Sequence, residues 1–214
     1  MTTLLHIDAS ARQTRSISRE LSNKFITTWK EQRPEDEVIR RDVGLNPPPA
    51  TTEAWIASVF TSPVERTPEQ VAEVALSDQL IDELDRADII VLGAPMYNYG
   101  MPTALKAWVD QVVRVGKTFS FDLSRGDYPL EPIMSGKTLV LLSSCGEFGF
   151  QPGGIRETMN HFDTHINTIK HYLGVEVMHH IYAEYQEFGD DRHDNSVKEA
   201  HAAAVKLTHT LIAK

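Results

Sequence analysis

An α/β fold, with a parallel sheet carrying helices on both faces, follows from three observations on the sequence. Short apolar runs alternate with amphipathic stretches along the whole chain. The best-marked runs, Ile89–Leu92 and Thr138–Leu142, are almost continuously apolar, as expected of strands buried on both faces. Polar, ligand-type loops follow the first, third and fourth runs, where open sheets of this class present their binding crevices.

The elements read in order as follows. Leu4–Ile7 is a short first strand, and Leu21, Phe25 and Trp29 carry helical spacing behind it. Val38 and Ile39 mark a second strand. Asn46-Pro47-Pro48-Pro49 opens a loop in which Trp55, Ile56, Val59 and Phe60 suggest a short helix. Thr67-Pro68-Glu69-Gln70 joins a capping threonine, a first-turn proline and a returning glutamine, a helix start that Val71, Val74, Leu80, Ile81 and Leu84 continue. The third strand, Ile89–Leu92, empties into Met96-Tyr97-Asn98-Tyr99-Gly100-Met101, and Pro102 opens a helix striped by Leu105, Trp108, Val109, Val112 and Val113. Thr138–Leu142 is the fourth strand. A helix is expected from about Ile155 to Leu173, stopped by Gly174. Val175–Tyr182 is the fifth strand and Asn195–Ala213 the last helix. With ligand loops after strands one, three and four, the expected architecture is a flavodoxin-like three-layer sandwich whose strands lie in the order 2-1-3-4-5.

At 214 residues the chain suits one well-buried domain spanning 1–214, and nothing in it marks an internal linker or repeat. The 41% apolar and 24% charged content is ordinary for a soluble globular protein. A net charge of −9 argues against nucleic-acid and anionic-membrane partners, which need a basic face. One cysteine, Cys145, excludes an internal disulfide framework and fits a reducing compartment, so a cytoplasmic location is expected. MTTLLHIDAS has no basic segment before its apolar run and reads as a first strand, not a signal peptide; no run approaches bilayer length.

The three loops carry the chemistry. Asp8 to Ser18 precedes a helix and offers hydroxyls at Ser10, Ser16 and Ser18, with the open N–H groups of a helix start. Arg12, Arg15 and Arg19 surround that start with only Glu20 opposing them, an inversion of the usual acidic preference that favours a bound anion. The plainer alternative is a serine-capped helix with solvated arginines. The loop Met96–Met101 offers flat aromatic surface, an amide side chain and backbone N–H groups, which suit a planar heteroaromatic ring such as a flavin; a packed turn is the alternative. Ser143–Gly154 is glycine-rich and could place N–H donors against the ring's pyrimidine edge, or be a mobile surface loop.

Ala94-Pro95-Met96-Tyr97-Asn98-Tyr99, followed by Leu105-Lys106 and Val115-Gly116-Lys117-Thr118-Phe119, resembles the signature of the FMN-dependent NADH azoreductase and NAD(P)H:quinone oxidoreductase family, and the resemblance covers nearly the whole length. It implies that Ser10, Arg12, Ser16, Ile17 and Ser18 hold the FMN phosphate. Pro95, Met96, Tyr97, Asn98 and Tyr99 would line the ring, and Ser144, Cys145, Gly146 and Glu147 would meet its other side. A substrate pocket of Tyr99, Phe119, Phe121 and Phe148 is expected, with NADH or NADPH as co-substrate and quinones or azo compounds as acceptors. The resemblance also implies a homodimer with active sites at its interface, capped by segments such as Trp55–Phe60 and Phe119–Phe121. Two departures from the family pattern stand out: Tyr99 where it has phenylalanine, and Ser144-Cys145-Gly146-Glu147 where it often has S-R-G-G. The other readings carried are a flavodoxin-type one-electron carrier, against which the serine- and arginine-bearing first loop tells, and a non-catalytic FMN-binding module.

Other motifs fall away. Gly136-Lys137-Thr138 lacks the upstream glycine of a P-loop and precedes a strand where a P-loop follows one. No G-x-G-x-x-G follows the first strand. His161 and His165 lack the companions of a metal site, His179 and His180 alternate across a strand, and no metal is expected. Cys145 has no second cysteine for a redox pair, and neither Ser143 nor Ser144 sits in a nucleophile elbow.

Overall fold

The structure is a computed structural model that describes residues 1–213; Lys214, the last residue of the expected unit, lies outside them. Its main sheet is five-stranded: β1 (Thr3–Asp8), β2 (Glu37–Asp42), β3 (Ile89–Pro95), β6 (Lys137–Ser144) and β7 (Val175–Ala183), in the order β2-β1-β3-β6-β7. Every pairing in it is parallel. This is the expected 2-1-3-4-5 arrangement, with a hairpin intercalated in the chain before the fourth parallel strand. That hairpin, β4 (Phe119–Phe121) against β5 (Leu130–Pro132), is antiparallel and was not anticipated, because three-residue strands are too short to show a period.

Two apolar layers sandwich the sheet. Leu5, Ile7, Ile90, Leu92, Leu139 and Leu141 pack against α3 (Pro68–Arg86), α4 (Thr103–Val112) and α5 (Asp163–Ile169), with Trp108 and Phe162 among the largest buried rings. Leu4, Ile89, Val91, Val140 and Leu142 face the other way, onto Leu21, Phe25 and Trp29 of α1 (Ile17–Gln32) and Ala200 and Ala204 of α6 (Asp191–Ile212). Successive residues of a strand point to opposite faces, so a strand covered on both must be apolar throughout, and β3 is buried at every position. The Thr67–Gln70 capping box starts α3 as expected, and Thr52 caps α2 (Glu53–Phe60) through the Trp55 N–H.

The helix expected from Ile155 begins eight residues later. Gly149 and Gly153 adopt left-handed backbone, and Ile155 is 76% exposed. The true start is set by Asn160, whose Oδ1 accepts from the N–H groups of Phe162 (3.2 Å) and Asp163 (3.0 Å). A short 3-10 turn over Lys170–Leu173 follows α5 and ends at Gly174 in left-handed conformation, as its glycine predicts. Among the described residues no helix is long and apolar enough to cross a membrane.

Close approach of α1 to β3 sets the ligand edge of the sheet. A Cβ on Gly93 would lie 2.7 Å from Asp8 Oδ1, 2.8 Å from Ser22 Oγ and 2.9 Å from the Ser18 carbonyl oxygen. Asp8 Oδ1 and Ser22 Oγ are themselves hydrogen-bonded at 2.8 Å, so the intruding carbon would have to separate a made contact and shift helix backbone. Gly93→Ala is therefore expected to cost about 1–3 kcal/mol; urea unfolding followed by tryptophan fluorescence measures it, and an unchanged midpoint would contradict the packing described.

Candidate functional site

A cleft of about 610 Å³ opens at the carboxyl edge of the sheet. Ser10, Arg12, Arg15, Ser16 and Ile17 of the β1–α1 loop form one end. Pro95, Met96, Tyr97, Asn98, Gly100, Met101 and Thr103 come from the β3–α4 loop, and Ser144, Cys145 and Gly146 follow β6. Gln186 and Glu187, after β7, complete the lining. The three loops singled out in the sequence thus share one cavity. The fourth contributor was missed, although its position beyond the end of a parallel strand was the available signal.

At the first loop, Ser16 caps α1 in extended conformation without closing its hydroxyl on a first-turn N–H, so those donors stay open at the cleft. Ser10 Oγ takes the Arg12 N–H at 3.2 Å, and both serines are buried. Arg12 and Arg15 are exposed and enter no ion pair among the described residues. Arg19, counted with them in the local basic excess, is committed elsewhere. Its guanidinium grips both Asp42 oxygens, at 2.6 and 2.7 Å, and the Ser10 carbonyl at 2.6 Å. The Asp42 hydrogen bond raises the Arg19 pKa; burial alone would push Asp42 up, but Arg19 holds it below the usual carboxylate range. Gly44 leaves room for this arrangement, since a Cβ there would sit 2.1 Å from the Ser10 carbonyl oxygen.

The β3–α4 loop is a tight two-residue turn. Tyr97 and Gly100 exchange backbone hydrogen bonds of 3.1 and 3.0 Å, with Asn98 (φ 48°) and Tyr99 (φ 65°) left-handed between them. Asn tolerates that backbone; for tyrosine it is strained, at roughly 1 kcal/mol or more. The turn leaves the Asn98 N–H without an acceptor among the described residues. Across the cleft the Gly146 N–H is likewise open, and its carbonyl accepts from the Glu187 N–H at 2.9 Å. A Cβ at Gly146 would meet Glu187 Cγ at 2.5 Å, so the β6 and β7 loops interlock there. Cys145 is buried beside them, with its thiol directed at the Glu147 carbonyl (3.3 Å); burial, then nearby Glu184, Asp163 and Glu147, pushes its pKa up to about 12.

Six sequence-selected residues fall outside the cleft lining. Ser18 is fully buried, 3.5 Å from Ser16 Oγ. Tyr99 turns away, donating to Glu147 Oε2 (3.2 Å) and packing on Phe150; Glu147 also accepts from Arg156 Nε at 2.9 Å. Phe148 stacks on Tyr185 at 4.5 Å beneath the Arg156 guanidinium. Phe119 packs against Tyr172 and lines a separate apolar groove with Trp55, Ile56, Val59 and Phe60, while Phe121 projects from the hairpin. Within this chain, Tyr99, Phe119, Phe121 and Phe148 therefore form no common pocket. The reason is that the hairpin and the 147–156 loop carry them to different sides.

Behind the cleft, Ser143 Oγ lies 2.7 Å from His180 Nε2, and His180 Nδ1 lies 3.5 Å from Asp163 Oδ2. Asp163 also accepts from Asn160 Nδ2 (2.8 Å) and the Tyr182 hydroxyl (3.1 Å). The contacts follow the order of a hydrolase triad. Ser143, however, is buried and does not line the 310 Å³ cavity that reaches His180, Asp163 and Tyr182, so no acyl group could meet its oxygen from there. Elsewhere, Lys137 of the rejected P-loop look-alike is buried and donates to the carbonyls of Asp85 and Ala87. Among the described residues no group of three or more His, Cys, Asp or Glu is placed to hold a metal ion.

Fold and cleft together define a flavodoxin-like α/β protein with a crevice at its switch point. A family model described as flavodoxin-like fold matches residues 2–207. A protein of Idiomarina loihiensis named FMN-dependent NADH:quinone oxidoreductase 2 is 55% identical, over 99% of this chain and 91% of its own length. A Pseudomonas aeruginosa protein named FMN-dependent NAD(P)H:quinone oxidoreductase 1 is 39% identical, over 98% of this chain and 100% of its own. The chain belongs to this flavodoxin-like family of FMN-dependent NADH:quinone oxidoreductases. An azoreductase structure from Bacillus anthracis superposes with a TM-score of 0.86 at 22% identity, covering 98% of this chain and 100% of that one, and shares the fold.

The buried imidazole makes stability depend on pH. Burial pushes the His180 pKa down from 6.5 to about 3, so below the unfolded value the unfolded chain binds the extra proton. Stability from this group is complete above pH 6.5 and declines as pH falls toward 3, by up to about 1.4 kcal/mol per pH unit. Asp163, raised by burial, acts in the opposite sense at the acid end of that window. In urea titrations between about pH 6.5 and pH 5, His180→Gln should be less stable throughout but lose stability less steeply than the parent. Parallel slopes would show that His180 is not held neutral.

Proposed function

We propose that the chain, acting as one unit over residues 1–214, is an FMN-dependent NAD(P)H oxidoreductase of quinones and aromatic azo compounds. The observation that carries this reading is the convergence of the first, third and fourth ligand loops on one 610 Å³ cleft. That volume suits a cofactor of FMN's size. The donor set fits its parts. Buried hydroxyls of Ser10 and Ser16, the open first-turn N–H groups of α1, and Arg12 and Arg15, which enter no ion pair among the described residues, suit a phosphate monoester. Tyr97 and Met96 supply flat or polarizable surface for a ring, and the Asn98 and Gly146 N–H groups are free to donate at its polar edge.

FMN held there would supply two-electron hydride chemistry at N5, between NADH or NADPH and a quinone or, over two cycles, an azo bond, and the order we infer is ping-pong. The chain's part is to bind, orient and tune. The Asn98 and Gly146 N–H groups would hold the polar edge of the ring, where their preorganised dipoles would oppose negative charge. No side chain is needed as general acid, since the open mouth admits water. Cys145, held as a thiol, takes no redox role. A cytoplasmic location accords with this sole cysteine being free.

A homodimer completes the reading. Trp55, Ile56, Val59 and Phe60 of α2 line an apolar groove with Phe119, and Phe60, with Phe121, Leu123 and Tyr128 of the hairpin segment, is exposed. A second copy seated on this face would cover it and bring hairpin aromatics toward the neighbouring cleft.

The decisive test is anaerobic mixing of FMN-loaded protein with NADH, watched at the flavin absorbance band. Rapid bleaching and recovery on adding benzoquinone are expected; a protein that stays colourless with added FMN would sink the reading. Ser10→Ala and Ser16→Ala should each weaken FMN binding by about 1 kcal/mol, and undiminished affinity in the double variant would refute the phosphate assignment. In sedimentation velocity the parent should run as a dimer, and Phe60→Glu with Phe121→Glu as a folded monomer. A monomeric parent would remove the interface.

A further inference from the structure

Behind the main cleft, the cavity of about 310 Å³ shares no lining residue with it. Its walls come from the 150–157 loop, from α5 with the turn after it, and from the edge strand β7. One wall carries a carboxylate without a counter-charge. Asp163 is only 8% exposed, and its Oδ2 is held by neutral donors, Asn160 Nδ2 at 2.8 Å and the Tyr182 hydroxyl at 3.1 Å. Among the described residues the one basic group within 4 Å of it is His180, at 3.5 Å, which burial keeps neutral. Oδ1 takes no hydrogen bond among the described residues, yet it is not one of the polar atoms sealed from solvent. We propose that this cavity binds a small organic ammonium ion, whose charge pairs with Asp163 and whose apolar body lies against Phe150, Met178 and Tyr182.

The chemistry of the walls selects that class of ligand. A buried carboxylate is costly unless a cation answers it, and burial raises the Asp163 pKa as expected of an acid left without that partner. The start of α5 gives little relief, because its Phe162 and Asp163 N–H groups are already taken by Asn160 Oδ1. Lys170, the only lysine or arginine in the lining, bonds Asn167 Oδ1 at 3.1 Å and forms no ion pair with Asp163. Glu157 adds a second carboxylate, so acids outnumber charged bases and an anion would be repelled. The rings of Phe150 and Tyr182 offer faces that attract a desolvated cation, and the Met178 thioether adapts to the group the cation carries. A metal ion fits poorly, since no three His, Cys, Asp or Glu among the described residues converge to hold one. The volume lies at the small end of ligand cavities and suits a body of roughly one ring or a short chain.

The probe is benzylammonium chloride, with benzyl alcohol as its uncharged counterpart. Each is titrated at neutral pH into the protein with FMN present, which keeps the main cleft occupied, and binding is followed by backbone amide shifts. Benzylammonium should shift Asp163, Thr164 and Tyr182 saturably with a Kd of about 1 mM or below. The alcohol should bind at least about tenfold more weakly. Asp163→Asn should weaken the ammonium by about tenfold or more and leave the alcohol unchanged. Asn167→Trp, which fills the cavity from an exposed position, should abolish binding of both, and it decides the matter if Asp163→Asn does not fold. Equal affinity for ammonium and alcohol, affinity indifferent to the substitutions, or shifts confined to Tyr97 and Asn98 at the main cleft overturns the proposal. Absence of any saturable shift up to about 20 mM does so too.

Discussion

The guanidinium of Arg19 joins three pieces of chain that would otherwise have no reason to meet. It spans from α1 to Asp42 at the end of β2, and it holds the Ser10 carbonyl just beyond the end of β1. Asp8 lies 3.6 Å away and adds a second carboxylate to the same charge. Partly buried charges are costly unless geometry is good and every donor is used, and a bidentate carboxylate with a carbonyl between comes near that condition. The result is a first loop whose course is set before any ligand arrives. Ser10 and Ser16 then face the cleft because the backbone that carries them is tied to two strands.

The cleft itself is a consequence of sheet order. β1 lies centrally between β2 and β3, and the chain leaves β1 for α1 on one face and β3 for α4 on the other. Loops that diverge to opposite faces from adjacent strands leave a gap between them, which no side chain of the sheet can fill. Gly93 keeps that gap narrow by letting α1 lie against β3 without an intervening carbon. The loops after β6 and β7 then wall the far side, locked together at Gly146 and Glu187.

Much of this was legible in the sequence, and the reasons differ between elements. β3 and β6 were plain because burial on both faces demands an unbroken apolar run, and α3 because its capping box is a local signal. The helix expected from Ile155 starts later because the Asn160 side chain, through its hydrogen bonds to Phe162 and Asp163, sets the real start. The loop residues nearest the strand ends, from Pro95 to Asn98 and from Ser144 to Gly146, line the cleft as expected, because in such sheets the crevice opens just beyond the strand ends. Residues farther along, such as Phe119, Phe121 and Phe148, were placed by likeness to relatives. A hairpin and a long loop, whose course no short-range pattern dictates, carry them away from the cleft. Gln186 and Glu187 escaped notice because neither type is distinctive without the strand that delivers it.

The protonated state of Cys145 bears on durability under the proposed activity. Quinones are Michael acceptors, and the species they alkylate is thiolate. A sulfhydryl at the cleft wall with a pKa near 12 exposes almost no such nucleophile at neutral pH. A catalyst that handles these electrophiles at every turnover would thereby carry its one sulfur of this kind beside them and remain largely immune to arylation by its own substrates.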